Sequence, residues 1–261
     1  RLSGTDAAGW YIPEARQAME TRNLLYAGKY SAPDYELILS EGCDLAIEST
    51  MIYHSPGVKE QLEQLGGPVL VERSRYESNP LGRMELIKLY GALLDRETEG
   101  QQIFDETMAA VEPVLGQETT GKTVAFFYIT TVGTVNVRKS GDYVAEMIRM
   151  AGGQYVPQNL ENNGNALSTM NMDMESFYAA AKDADILVYN STIDGELELM
   201  EQLLQKSSLL ADFKAVQTGD VWCTGQNMFQ ESMGLGEMIL ELHTLLTDPN
   251  PQNLTYLHRL R

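Results

Sequence analysis

"GKYSAPDYELILSEGCDLAI", residues 28–47, and "STMNMDMESFYAAAKDADILVY", residues 168–189, are two versions of one pattern. In each, a polar approach leads to a lone glutamate, Glu36 or Glu175, that opens a short amphipathic run. An acidic residue then introduces an apolar strand. A helix feeding a buried strand, written twice with the glutamates 139 positions apart, predicts an α/β lobe around each copy. A carboxylate in the first turn of a helix gains about 0.3–1 kcal/mol from the helix field. Electrostatics of that kind accounts for one such residue; the repeated context asks for a further reason.

Outward from the first copy, "CDLAIE" (43–48), the helix-like "GVKEQLEQLGG" (57–67) and "PVLVER" (68–73) follow as strand, helix, strand, the order of a parallel α/β unit. Two helices are expected next. "NPLGRMELIKLYGALLD" (79–95) has a proline near its start, and "RETEGQQIFDETMAAVEPVL" (96–115) brings Phe104, Met108, Val111 and Leu115 onto one face. Pro113 is expected to kink or end the second of these. The alternation resumes with "KTVAFFYI" (122–129), "DYVAEMIRMAGG" (142–153), "ADILVYN" (184–190), "ELELMEQLLQ" (196–205) and "DVWCTG" (220–225). A closing helix in "SMGLGEMILELHTLLTDP" (232–249) lines up Leu235, Met238, Ile239, Leu242 and Leu245. The expected organisation is a first lobe over 1–79, connecting helices over 80–116, a second lobe over 117–249 and a tail over 250–261.

The chain of 261 residues carries 19 Lys plus Arg against 37 Asp plus Glu, a formal charge of -18. Such a field repels a phosphate backbone, so no nucleic-acid partner is expected. No apolar run reaches the roughly 20 residues of a membrane-crossing helix. The opening "RLSGTDAAGW" has neither initiator methionine nor signal segment, so location is not read from it. Cys43 and Cys223 stand beside strand-like stretches far apart in the chain, and free buried thiols are expected.

Specific chemistry is mostly set aside. "GQETTGKT" (116–123) fits the phosphate-loop pattern, but a phosphate loop follows a strand and opens a helix, and here the order is helix, loop, strand. His54, His243 and His258 are too scattered for a side-chain metal centre, with His243 on the last helix and His258 in the tail, so no resident metal or intrinsic cofactor is expected. The sequence offers no G-x-S-x-G elbow, no H-E-x-x-H and no cysteine placed with a histidine and an acid. An enzyme or a sensor module built on the same lobes is the rival class.

Taken in order, "APDYELILSEGCDLAI", "LEQLGGPVLVE", the paired helices, "DYVAEMIRMAGG" and "FKAVQTGDVWCTG" resemble the substrate-binding proteins of ABC importers. The resemblance, over residues 1–249, is to the class that carries iron-siderophores, haem or cobalamin. It implies an α/β fold of two Rossmann-like lobes with mostly parallel sheets joined by a long helix. Family members begin with a strand and helix ahead of the stretch matching "RLSGT", so the first lobe is expected to be incomplete. The resemblance also implies an extracytoplasmic location, periplasmic or lipoprotein-anchored, a monomer, and docking of Glu36 and Glu175 on arginines of the permease subunits. The cargo implied is a small-molecule metal chelate, a ferric siderophore first, with haem or a corrinoid as alternatives.

Ligand candidates follow from where strands end, since ligands of open α/β sheets sit at the carboxyl ends of strands. Trp10, Tyr11, Tyr30, Tyr53 and Tyr128 are amphipathic rings suited to a flat or chelated ligand with a polar edge. Tyr30 stands six residues before Glu36, where family members place a ligand-facing aromatic. Thr169 and Met170 occupy the matching approach to Glu175, Asn190 follows "DILVY", and Asn227, Met228 and Phe229 lie in "GQNMFQESM" ahead of the last helix. Arg73, Arg75 and Arg138 are arginines whose planar forks suit carboxylate or catecholate oxygens, and Arg138 best matches the basic positions of siderophore binders.

Overall fold

The computed structural model describes residues 1–160 and 168–261 and divides the chain into two compact units, Arg1–Tyr76 and Glu77–Arg261. In the first unit, β1 (Leu2–Ser3) is followed by α1 (Pro13–Glu20) and pairs in parallel with β2 (Leu25–Tyr26). A tight hairpin of β3 (Gly28–Lys29) and β4 (Ala32–Pro33) leads into α2 (Tyr35–Ser40). Gly28 takes φ +85°, and a Cβ there would lie 2.4 Å from the Ala32 carbonyl oxygen, so the hairpin requires glycine. Next come β5 (Ala46–Ser49), α3 (Pro56–Gln64) and β6 (Val69–Glu72), with β5 and β6 parallel from Ala46 opposite Val69 to Ser49 opposite Glu72. This is the strand, helix, strand unit read from the sequence. A cavity of about 580 Å³ is lined by Leu2, Ile38, Leu45, Ala46 and Leu62 and by the polar Glu48. Desolvation raises the carboxyl of Glu48 above the usual range.

The second unit opens with α4 (Pro80–Met84), α5 (Leu86–Leu93) and α6 (Glu97–Leu115). Pro113 lies inside α6, and the helix stops at Leu115, within a turn of it. The strands that follow are β7 (Thr123–Ile129) and β8 (Val135–Arg138). After α7 (Tyr143–Met150) come β9 (Gln154–Val156) and β10 (Thr169–Met172). Then α8 (Met174–Ala181) feeds β11 (Ile186–Tyr189), and α9 (Met200–Lys206) and α10 (Lys214–Thr218) precede β12 (Val221–Thr224). The unit closes with α11 (Leu235–Thr247) and β13 (Leu257–Arg259).

Parallel strands β7, β11 and β12 form the centre of this sheet, with β8 antiparallel to β7 and β10 antiparallel to β8 toward one edge, and β13 antiparallel to β12 at the other. One edge of β7 serves two partners: β9 runs parallel along Thr123–Ala125, and β8 runs antiparallel along Phe127–Ile129. The centre is buried on both faces, as continuous apolar runs require. Val124, Phe126, Val188 and Trp222 pack with Met147, Ile148, Met238 and Ile239 of α7 and α11 on one side. On the other, Phe127, Leu187, Tyr189 and Cys223 meet Phe177, Leu203 and Phe213. Phe177 has no exposure and stacks against Phe213 at 5.6 Å, with Phe127 at 4.7 Å from it.

Three expectations change. Residues 250–261 are not a tail: β13 pairs with Trp222, Cys223 and Thr224, and Tyr256, Leu257 and Leu260 are buried. Their apolar burial and the open edge of β12 draw the segment in. The helix expected from Glu196 begins only at Met200, because the preceding residues are tied to neighbouring strands. Leu197 N–H donates to Cys223 Sγ at 3.3 Å, Arg261 N–H to the Glu198 carbonyl at 3.0 Å, and Met200 N–H to the Arg261 carbonyl at 2.8 Å. The 80–116 helices belong with the second unit, whose α6 packs on α11.

Candidate functional site

In the first unit, the carboxyl ends of β5 and β6 carry a compact polar and aromatic group. Ser49 Oγ accepts from Met51 N–H at 3.3 Å and starts the 3-10 turn Thr50–His54, which presents Tyr53 at 49% exposure. Past β6, Glu72 accepts from the main-chain N–H and the hydroxyl of Ser74, starting a second 3-10 turn, Ser74–Tyr76. These two turns bring Arg73 and Arg75 beside the first. Arg73 donates to the Tyr53 phenol at 3.3 Å with its guanidinium carbon 6.0 Å from the ring centroid, and Arg75 donates to Thr50 Oγ1 at 3.2 Å.

The other ring candidates of this unit are placed differently. Tyr30 sits in the β3–β4 turn and lines the 580 Å³ cavity together with Ile38 and Leu62. Trp10 closes the 3-10 turn Ala7–Gly9, and its carbonyl accepts from Arg16 at 2.6 and 3.2 Å. Its indole N–H is buried with no hydrogen-bond partner among the described residues. Tyr11 is exposed.

In the second unit Arg138 ends β8 directly opposite Thr169 of β10, with Met170 opposite Val137. Its side chain, only 13% exposed, lies over Phe126 at 5.7 Å and Phe229 at 5.0 Å. A carboxylate oxygen of Asp142, 1% exposed as a side chain, stands 3.8 Å from its guanidinium. Asp142 also caps α7 by accepting from Val144 N–H at 3.0 Å. Desolvation raises the Asp142 carboxyl above its ordinary value, and the positive charge of Arg138 opposes that rise. Arg138 is therefore a partly buried, ring-stacked member of an ion pair at a strand end rather than a loop arginine.

The rim expected at 227–229 divides. Met228 points inward, 5% exposed, against Val144, Met238 and Leu242, because the 3-10 turn Gln226–Phe229 rolls its thioether into the core. Phe229 is half-buried beside Arg138, and Asn227 donates to Glu231 at 3.2 Å. Asn190 is buried, its side-chain oxygen accepting from the N–H and hydroxyl of Thr192 at 3.1 and 2.6 Å. It shapes a turn at the end of β11. Tyr128 is half-buried against the core on β7.

Glu36 and Glu175 occupy equivalent local settings. Asp34 caps α2 by accepting from Leu37 N–H at 3.0 Å, and Asp173 caps α8 by accepting from Ser176 N–H at 2.7 Å. Those Ser176 hydrogen bonds hold the Asp173 carboxyl below the usual range. Each glutamate stands two residues beyond its capping aspartate, exposed, on the helix that feeds β5 or β11. The capping aspartates were not singled out in the sequence, although the shared D-x-E spacing marks them.

The phosphate-loop match at 116–123 runs from the end of α6 into β7, the wrong order for phosphate binding. Cys43 is half-buried and Cys223 buried, both free, with burial pushing the Cys223 thiol up to about 11. A profile of the periplasmic binding protein family matches residues 1–228. An uncharacterised lipoprotein of Methanocaldococcus jannaschii is 25% identical over 248 residues, covering 91% of this chain, which spans 56% of that protein. Among solved structures, an ABC transporter substrate-binding protein from Listeria monocytogenes is 16% identical, with a TM-score of 0.65 over 95% of this chain and 90% of that one. The periplasmic haem-binding protein HutB of Vibrio cholerae is 19% identical, with a TM-score of 0.70 over 87% of this chain and 86% of that one. With the family profile covering residues 1–228, on a doubled α/β pattern that carries the same capped helix twice, the chain belongs to the periplasmic binding protein family.

Proposed function

We propose that this protein is the extracytoplasmic ligand-capturing component of an ABC importer and that its ligand is an anionic iron chelate of the siderophore type. The observation that carries the ligand class is the group at the carboxyl ends of β5 and β6: exposed Tyr53 with Arg73 and Arg75 beside it. On a chain of net charge -18, two guanidinium groups held on one turn, Arg73 at Tyr53 and Arg75 at Thr50, form a local positive, aromatic surface. Catecholate, hydroxamate and carboxylate oxygens of a ferric chelate suit that chemistry, the fork binding the oxygens and the ring covering the apolar body. In the second unit Phe229 and Thr169, beside Arg138, are the remaining ligand candidates. A family of binding proteins calls for no catalytic step, and the chain is read as a carrier rather than an enzyme.

A second reading, haem, is favoured by one specific contact. Arg73 donates to the phenol oxygen of Tyr53 at 3.3 Å and so orients an exposed phenol, a side chain of the type that ligates haem iron through oxygen. The similar HutB is described as haem-binding. Likeness to a lipoprotein supports an anchored, extracytoplasmic location, and among the described residues no helix is long and apolar enough to cross a membrane.

Titration with a ferric hydroxamate, a ferric catecholate, haemin and cobalamin, read by melting temperature and visible absorbance, tests both readings. A ligand at 100 times its Kd adds about 2.7 kcal/mol to the stability of the unit that binds it. Stabilisation by a ferric siderophore that is lost in Arg73→Ala plus Arg75→Ala supports the first reading. A Soret band that shifts in Tyr53→Phe supports the second. Absence of stabilisation by all four compounds refutes the chelate reading.

A further inference from the structure

Loop 195–199 and the C-terminal strand β13 bring together Glu196, Glu198 and His258, whose ligand atoms lie within 4.8 Å of one another. Chain order hides this grouping: 60 or more positions separate the histidine from the acids, and His258 reads in sequence as part of a tail. We infer that these three side chains form a binding site for a divalent cation of the zinc type, supplying one imidazole nitrogen and two carboxylate oxygens.

The inference rests on how each donor is held from behind. His258 places Nε2 2.8 Å from the carbonyl oxygen of Leu197, the residue between the two glutamates. An N–H at Nε2 donating to that carbonyl leaves Nδ1 as the lone-pair nitrogen, and Nδ1 stands 3.9 Å from Glu196 Oε2. Fixing the far nitrogen on a main-chain carbonyl is how proteins orient metal-binding imidazoles. Glu196 is fixed in the same manner: its Oε1 accepts from Gln226 N–H at 2.9 Å, which leaves Oε2 for the shared space. Glu198, two positions on from Glu196, brings its carboxylate to the same point. Arg261 holds that segment through its main chain, donating to the Glu198 carbonyl at 3.0 Å.

The donor spacing fits after a modest closure. A tetrahedral ion with bonds of about 2.0–2.2 Å places its ligands about 3.4 Å apart. Both glutamates are exposed, so side-chain rotation supplies the closure. The competing cation is the Arg261 guanidinium, 3.6 Å from Glu198 Oε2; both partners are more than half exposed, and such pairs are weak. Cys223, the cross-strand partner of His258, is fully buried and accepts from Leu197 N–H at 3.3 Å, so it stays outside the donor set. One imidazole and two carboxylates suit zinc over a soft monovalent ion, with the remaining position open to water. A bound ion pins the 196–199 loop to the edge strand; it involves none of the residues assigned to the chelate.

The test is calorimetric titration of the chelator-treated full chain with zinc chloride in the presence of excess magnesium. One zinc equivalent should bind, weakened more than about tenfold by Glu196→Gln and by His258→Ala, as for loss of a metal-site residue. Glu196→Gln retains an oxygen to accept from Gln226 N–H, which guards against misfolding as the cause. Nitrogen NMR of the His258 ring should show zinc shifting Nδ1 while Nε2 keeps its proton. Absence of a stoichiometric zinc event, its survival undiminished in both variants, or its displacement by magnesium overturns the assignment.

Discussion

Replacing Arg138 with methionine should destabilise the second unit by about 3–5 kcal/mol, the usual cost of removing one partner from a buried ion pair. Geometry supports the size. At 3.8 Å and an effective dielectric of about 20, the attraction between Arg138 and Asp142 is about 4 kcal/mol. Methionine keeps some packing against Phe126 and Phe229, so the loss falls mainly on Asp142, whose buried carboxylate loses its nearest cation and keeps only the weaker attraction of Arg83. The sign of the pH dependence follows from the raised Asp142 carboxyl. A folded pKa above the unfolded value makes stability fall as pH rises through the folded pKa, because the folded state holds the proton longer. Without Arg138 the rise grows, so the penalty should be full at neutral pH and shrink as pH falls into the carboxylate range. Adding Asp142→Asn should recover much of it, since the amide oxygen still accepts from Val144 N–H and no charge is stranded. The assay is urea unfolding read by Trp222 in a Trp10→Phe background, so that fluorescence reports the second unit alone. A variant as stable as its parent, or a penalty that ignores both pH and Asp142→Asn, refutes the argument.

Two further outcomes are expected. Glu36→Ala plus Glu175→Ala should melt within a few degrees of the parent and keep its ligand affinity, yet lose uptake in cells lacking the native receptor. Removing one partner of an interfacial ion pair costs about 2–5 kcal/mol, and reversal to Lys should be worse; normal uptake removes the docking role. Ending the chain after Pro249 should abolish cooperative unfolding of the second unit. Tyr256, Leu257 and Leu260 each lose burial worth about 1.5–3 kcal/mol, and the edge of β12 opens. An unchanged melt of the shortened protein returns 250–261 to a loose tail.

The parts of this fold that are legible in sequence are those fixed by neighbours in the chain. "VAFFYI", "DILVY" and "DVWCT" are runs that only a strand covered on both faces explains, and they form the sheet's parallel centre. Illegible are the short polar strands "VNVR", "TMNM" and "LHR". Each is half covered, carries no continuous apolar signal, and is a strand because a distant partner offers an edge. The same reason hides the late start of α9, since its preceding residues answer to Cys223 and Arg261. Among site candidates, Tyr53 lies where strand-end reasoning puts it, whereas a loop motif cannot tell that Met228 rolls inward while Phe229 stays beside Arg138. Residue type names a side chain's chemistry; only long-range packing decides which way it faces.

The repeated glutamate gains its meaning from what the helices do not need. Asp34 and Asp173 already satisfy main-chain N–H groups at the starts of α2 and α8. Among the described residues neither Glu36 nor Glu175 has a side-chain hydrogen bond or an ion pair, and both are exposed. Each adds a favourable charge to a helix start that is already capped, a small effect that alanine at either position would forfeit without unfolding anything. The two helices share little else: α2 spans Tyr35–Ser40 and buries no residue, whereas α8 spans Met174–Ala181 and buries Phe177 and Ala181. Folding demands differ between the two contexts, yet the exposed acid stands at the same offset from the same capping residue. Folding of either helix therefore does not account for the acid it carries, and uptake by the double alanine variant is the measurement that decides whether the two acids dock on a basic partner.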